Sequence, residues 1–165
     1  MRWTFLIVGL VAGVALARTG GGRPSSYVDG QYGFSLTPPR FPDVEKRVAT
    51  VFQASAAPVD GVEANLNVQV QPMNMDREQY RALSLGQFRK EGWTVTSEKD
   101  LTVSGRDAIL WAFEGKAGDE EYRWLALAVI DKPRVILATC TALSKHFEAH
   151  EKEFRASLES FKMID

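Results

Sequence analysis

The chain has 165 residues, 45% of them hydrophobic and 25% charged, with a formal net charge of −1. That size and balance fit one domain able to bury its own core. They exclude a nucleic-acid binder, because phosphate contacts need a Lys/Arg excess that is missing here, and no low-complexity tract or internal repeat interrupts the chain.

The N-terminus reads MRWTFLIVGLVAGVALA: Arg2 precedes an apolar run from Trp3 to Ala17 that closes on Ala15-x-Ala17. This is the layout of a secretory signal peptide. As a helix the run would span about 23 Å, short of the ~30 Å hydrocarbon core. Cleavage after Ala17 is therefore expected in preference to a membrane anchor formed by residues 3–17. The expected organisation is a signal peptide over 1–17, a Gly/Ser-rich linker over 18–26 and one folded domain over 27–165. The expected location is secreted or periplasmic, and a membrane is involved only if residues 3–17 stay attached. Cys140 is the only cysteine, so no intramolecular disulfide can form despite export. No cysteine follows the apolar run, which excludes lipoprotein-type anchoring, and no Asn stands in an N-x-Ser/Thr site.

Tyr32 to Leu36 (YGFSL) alternates like a strand buried on one face, with Gly30 and Gly33 permitting a turn. Pro38 and Pro39 then remove two ladder donors and end the strand. Val48 to Ser55 is a second expected strand. Asn65 to Gln71 (NLNVQVQ) alternates strictly, with Leu66, Val68 and Val70 facing in, as a half-exposed or edge strand does. Asp76 to Glu91 reads as a helix: Asp76 caps it, Gln79 completes a capping box and Gly92 ends it. Tyr80, Leu83 and Phe88 are expected on its core face. A polar strand follows over Trp93 to Val103, then a turn at Gly105 and a strand over Ala108 to Glu114 (AILWAFE). GKAGDE is read as a hairpin loop. EYRWLALAVI and RVILATCTA are two further strands broken by DKP. The closing helix is expected from Lys145 to about Met163 with Ser144 as its cap. Phe147, Phe154, Leu158 and Phe161 repeat on one of its faces, and Glu148–Lys152 and Glu151–Arg155 are i,i+4 pairs on the other. The three strands before this helix are apolar on both sides, so cover is needed above and below one largely antiparallel sheet.

The order of these pieces resembles the PsbP-like α/β/α sandwich family, including its bacterial DcrB-like branch. The carriers are the opening Y-G-F-S-L-x-P-P strand, the G-x-x-A of Gly105 to Ala108, the three-strand meander and the closing L-E-S-F at Leu158 to Phe161. Phe41 stands where many relatives have tryptophan. The resemblance covers roughly Tyr27 to Phe161 and implies the fold class: α+β, an α/β/α sandwich with a mostly antiparallel central sheet covered by helices. It also implies a non-enzymatic extrinsic subunit, partner-binding module or chaperone, although fold alone does not select among functions.

Few residues invite chemistry. His146 and His150 are the only histidines, spaced i,i+4, and Glu153 follows on the same face. Imidazole and carboxylate suit Zn or Cu, but HFEAH lacks the Glu that a zincin places after its first His, so a solvated face is the expected reading of this trio. Cys140 sits among apolar residues without the electropositive setting that activates a thiol. Ser84 in ALSLG lacks the first glycine of a nucleophile elbow and falls within a helix. Asp119, Glu120 and Glu121 read as a solubilising turn. No catalytic residue and no cofactor is expected. The expected function is an exported accessory module binding an unknown protein partner, with a small-ligand or lipid-binding envelope protein as the alternative. Whether the residues around Trp111 and Trp124 enclose a cavity or pack solid discriminates the two.

Overall fold

A computed structural model describes residues 26–40, 43–47 and 50–164. The expected signal peptide over 1–17 and the linker up to residue 25 lie outside the described residues, as do Phe41, Val48 and Ala49. The strands are β1 (Tyr27–Asp29), β2 (Phe34–Leu36), β3 (Asp43–Arg47), β4 (Thr50–Ser55) and β5 (Asn65–Gln71), followed by helix α1 (Arg77–Glu91). Then come β6 (Thr94–Val103), β7 (Arg106–Ala117), β8 (Glu120–Asp131), β9 (Arg134–Leu143), helix α2 (Phe147–Glu159) and β10 (Lys162–Met163).

Seven strands form one sheet in the order β3-β4-β5-β9-β8-β7-β6, antiparallel at every step. Its two faces are buried separately. Leu125, Leu127 and Val129 of β8 join Ile136, Ala138 and Cys140 of β9 beneath Phe147, Phe154 and Leu158 of α2. The alternate residues, Trp124, Ala126 and Ala128 with Val135 and Leu137, face Tyr80 and Phe88 of α1. This is the two-sided cover that strands apolar on both faces require, and it confirms the α/β/α sandwich.

The structure departs from the sequence-based expectations at several boundaries. Asn65–Gln71 is no edge: β5 pairs with β4 on one side and β9 on the other. The polar members of its alternation face the α1 side, and Asn67 and Gln71 are buried there. The opening strand is shorter than expected, because Tyr32 and Gly33 belong to a turn whose Gln31 and Tyr32 N–H groups donate to Asp29 Oδ1. β7 and β8 extend through most of GKAGDE and leave only Gly118 and Asp119 as the turn. Ser144 opens a 3-10 turn over Ser144–His146 and is not the cap of α2. That helix ends at Glu159, after which β10 joins β1 and β2 in a second, three-stranded sheet of order β1-β2-β10.

Two pieces of the resemblance have plain structural roles. Phe161 stacks on Phe34 with ring centroids 5.3 Å apart. Ser160 Oγ accepts from the Thr37 N–H and donates to Ser157 O, both at 2.7 Å, tying the exit of β2 to the end of α2. Ser104 and Gly105, at φ 48° and 78°, make the two-residue turn between β6 and β7, a geometry suited to the twist of a hairpin.

Helix α1 matches its punctuation. The Gln79 N–H donates to Asp76 Oδ1 and the Asp76 N–H donates to Gln79 Oε1, closing the capping box, and Gly92 ends the helix at φ 75°. Its buried stripe is Tyr80, Ser84 and Phe88. Leu83, expected inside, is 40% exposed, because it lies about 100° around the helix from the centre of that stripe. Phe88→Ala is expected to cost about 3–5 kcal/mol, while Leu83→Ala changes stability by no more than about 0.5 kcal/mol. Urea unfolding of the two variants checks the contrast.

Candidate binding surface

The sequence-derived candidates do not assemble into one site. His146 Nε2 lies 2.9 Å from Asp60 Oδ2. The His150 ring packs 5.8 Å from Phe154. Glu153 Oε2 accepts the Arg40 backbone N–H at 3.2 Å. The trio thus engages three different neighbours, and among the described residues no group of three or more His, Cys, Asp and Glu is gathered to hold a metal. Cys140 is fully buried, and burial pushes its thiol pKa well up, away from the thiolate that reacts. Ser84 is buried on the core face of α1. Asp119, Glu120 and Glu121 rim an open hollow of about 330 Å³ together with Lys116 and Lys145, so both charge signs line it.

The interior around the tryptophans is solid. Trp111 is 1% and Trp124 0% exposed. Phe113 stacks on Trp124 at 5.0 Å and on Phe88 at 4.4 Å, while Phe88 meets Trp111 edge-on at 5.8 Å. Trp93 closes over this group at 4.8 Å from Trp124. Gly115 makes the closure possible, since a Cβ there would lie 2.5 Å from the Trp93 ring. Such ring pairs add about 0.5–1.5 kcal/mol each beyond the area they bury. On the opposite face a cleft between α2 and the sheet, walled by Leu101, Leu110, Leu125, Leu127 and Leu158, encloses about 40 Å³.

Beyond the aromatic cluster the α1 side of the sheet turns polar. Register places Gln53, Asn67 and Thr139 in one row and Ser55, Asn65 and Thr141 in the next, ending against Trp124. Gln53 donates to Ser55 and Asn67 donates to Asn65. Asn67 Oδ1, Thr139 Oγ1 and Trp124 Nε1 are buried with no partner among the described residues. An unmet buried hydroxyl costs about 1–3 kcal/mol. Thr139→Val is therefore expected to raise the thermal midpoint by a few degrees, about 2–4 °C per kcal/mol for a chain of this size, as calorimetry would record.

The exterior is organised along β6, which closes one end of the sheet order and is largely exposed. Above it, α1 contributes Arg77 and Arg81, and β6 contributes Glu98 and Asp100. Arg81 pairs with Glu98 at 2.8 Å and also with Asp100 and Glu78. Arg77 reaches Asp100 at 3.7 Å, Asp107 at 3.5 Å and Glu78 at 3.6 Å. Glu98 also accepts from Trp111 Nε1 at 2.8 Å, which fixes the strand to the core. Four carboxylates thus share two guanidiniums. This group escaped the reading of the sequence, although two signals were present: the i,i+4 arginines share one helix face, and Glu98 and Asp100 alternate on one strand face.

A second polar tie lies at the far end of the sheet. Asp60, at φ 52° in the loop after β4, accepts from Lys145 Nζ at 2.7 Å and from His146. Hydrogen bonds from Lys145 and then His146 lower its carboxyl pKa from 3.8 to about 2. A carboxylate depressed in the folded state stabilises the fold above its unfolded pKa and ceases to do so as pH falls through the folded value. The clasp is therefore expected to hold at full strength down to about pH 4 and to release as pH approaches 2. Carbon-detected NMR titration of the Asp60 carboxyl measures the midpoint directly, and Asp60→Asn should abolish the transition.

No protein-family profile and no curated protein matches the sequence. Solved structures do. Cyanobacterial PsbP (CyanoP) from Synechocystis sp. PCC 6803 superposes with a TM-score of 0.62 at 14% identity, covering 90% of this chain and 98% of that one. LpqN of Mycobacterium tuberculosis, described as involved in cell envelope biogenesis, gives 0.60 at 11% identity over 85% and 83% of the two chains. A Pseudomonas aeruginosa protein of unknown function gives 0.57 at 17% identity over 81% and 92%. These identities speak for architecture and not for activity. The chain has the PsbP-like fold.

Proposed function

We propose that the chain is an exported accessory protein that works by binding a protein partner through its exterior and carries out no chemistry of its own. The observation that carries this reading is the solid packing on both sides of the sheet. The aromatic cluster around Trp111 and Trp124 leaves no chamber between its rings, and the leucine cleft on the other face encloses only about 40 Å³. Pockets that hold small molecules run to about 300–1,000 Å³ and are mostly apolar, whereas the hollow of that size beside Asp119 is open and lined mainly by charged side chains. Recognition then falls to the surface, where a long exposed strand and a shared charge network are held rigidly by the core.

Two further points support the reading. The N-terminal run ending at Ala17 has the form of an export signal. The fold is shared with CyanoP and with LpqN, a protein involved in cell envelope biogenesis. No described helix is long and apolar enough to cross a membrane. The test is affinity capture of the mature chain from its native envelope fraction at physiological salt, with mass spectrometry of both the proteins and the extracted small molecules and lipids. A protein retained at stoichiometric amounts is the expected result. Recovery of a stoichiometric lipid or metabolite with no protein would overturn the proposal in favour of a ligand carrier.

A further inference from the structure

β6 offers more than an exposed surface. It is ten residues long, and its outer edge pairs with no described strand. The turn at Ser104–Gly105 makes Val103 and Arg106 the first pair of the β6–β7 hairpin. Counting back along an antiparallel ladder, alternate residues turn their N–H and C=O groups inward, and those between them turn outward. Glu98, Asp100 and Thr102 are the outward-facing set. The two sides of the same edge differ in chemistry. Toward α1 lie Glu98 and Asp100, within a group of four carboxylates and two guanidiniums that carries a net negative charge. Toward α2 lie Lys99 and then Leu101 and Val103, which pack at the margin of the core. Leu101 also walls the leucine cleft.

A free edge of this length is a template for another strand unless something forbids it. A second copy of this chain is disfavoured in the central registers. Pairing two β6 edges into one continuous sheet places residues of the same face opposite one another. The central registers then set Glu98 against Glu98, Lys99 against Lys99 with Glu98 against Asp100, or Asp100 against Asp100. Like charges directly opposite destabilise a pair. The same pattern is complementary to a different strand: basic where it meets Glu98, Asp100 and Thr102 beside Asp107, acidic where it meets Lys99, and apolar where it meets Leu101 and Val103.

The geometry points to β6 as a docking edge for an extended segment of a protein partner. That segment adds antiparallel to Ser97–Val103, the stretch beyond the register shift at Val95–Ser97, with basic side chains toward α1 and apolar side chains over Leu101 and Val103. Main-chain hydrogen bonds supply affinity in such strand addition, and the alternating side chains supply selectivity. This inference rests on the proposed role as a protein-binding module and specifies where that role is exercised.

The probe is the heptapeptide Val-Lys-Val-Lys-Glu-Lys-Thr, written to run antiparallel from Val103 to Ser97. Its control is Val-Glu-Val-Glu-Lys-Glu-Thr, with every charge inverted. Amide hydrogen exchange of the mature protein is followed residue by residue with each peptide. The expected result is slowing of the Glu98, Asp100 and Thr102 amides by about tenfold or more with the first peptide and no slowing with the second. Thr102→Pro removes one outward N–H without touching the hairpin bonds and should abolish the slowing. Lys99→Glu, which keeps the backbone intact, should weaken it and serves if the proline variant fails to fold. Equal slowing by both peptides, slowing elsewhere only, or none at all overturns the docking edge. If the envelope capture still retains a protein in that case, the accessory role stands and its surface lies elsewhere.

Discussion

The structure depends on one constraint: the middle strands of the sheet are apolar on both faces and must be shielded from water twice. β8 and β9 send Leu125, Leu127, Val129, Ile136 and Ala138 one way and Trp124, Ala126, Ala128, Val135 and Leu137 the other. Burying a large apolar side chain is worth about 1.5–3 kcal/mol, so neither face can be left bare. One helix on each side follows from this, and so does the division of the core into two compartments that the sheet keeps apart.

The two compartments are built differently. The α2 side is aliphatic at its centre and is rimmed by phenylalanines that also hold the small sheet, through Phe34 and Phe161. The α1 side is aromatic over β7 and β8 and polar over β5 and β4. Because α1 lies over β6 and β7, its arginines stand within reach of the outermost strand. Arg77 and Arg81 of α1 brace β6 from above, and Trp111, its cross-strand neighbour on the same face, holds it through Glu98. An edge held this way keeps its shape without a neighbour, which is the preorganisation that lowers the cost of recognising one.

Much of this was legible in the residues. The capping box at Asp76 and Gln79, the terminating Gly92 and the two-sided strands of the meander all depend on local chemistry or on a period that a single segment displays. What escaped depends on partners distant in sequence. β5 looked like an edge because Asn and Gln alternate with its aliphatic residues, and only pairing with β4 and β9 shows that a polar row can lie inside a sheet. Leu83 looked like core because it follows Tyr80 at helical spacing, yet the stripe of α1 is set by Tyr80, Ser84 and Phe88. β10 is two residues long and has no periodicity to read. The candidate surface was invisible for the same reason: Glu98, Asp100, Arg77 and Arg81 acquire meaning only once the helix lies across the strand. The histidines drew notice because they are rare, and the fold sends His146 and His150 to different neighbours.

The placement of the indoles has a practical corollary. Trp93, Trp111 and Trp124, the tryptophans of the described residues, all belong to the α1 compartment. Their near-contact, with Trp93 and Trp124 centred 4.8 Å apart, makes tryptophan emission a reporter of that half alone. Loosening of the phenylalanine-lined half beneath α2 would pass unseen by tryptophan emission, so apparent two-state melting followed that way describes one side of the molecule, and a calorimeter describes both.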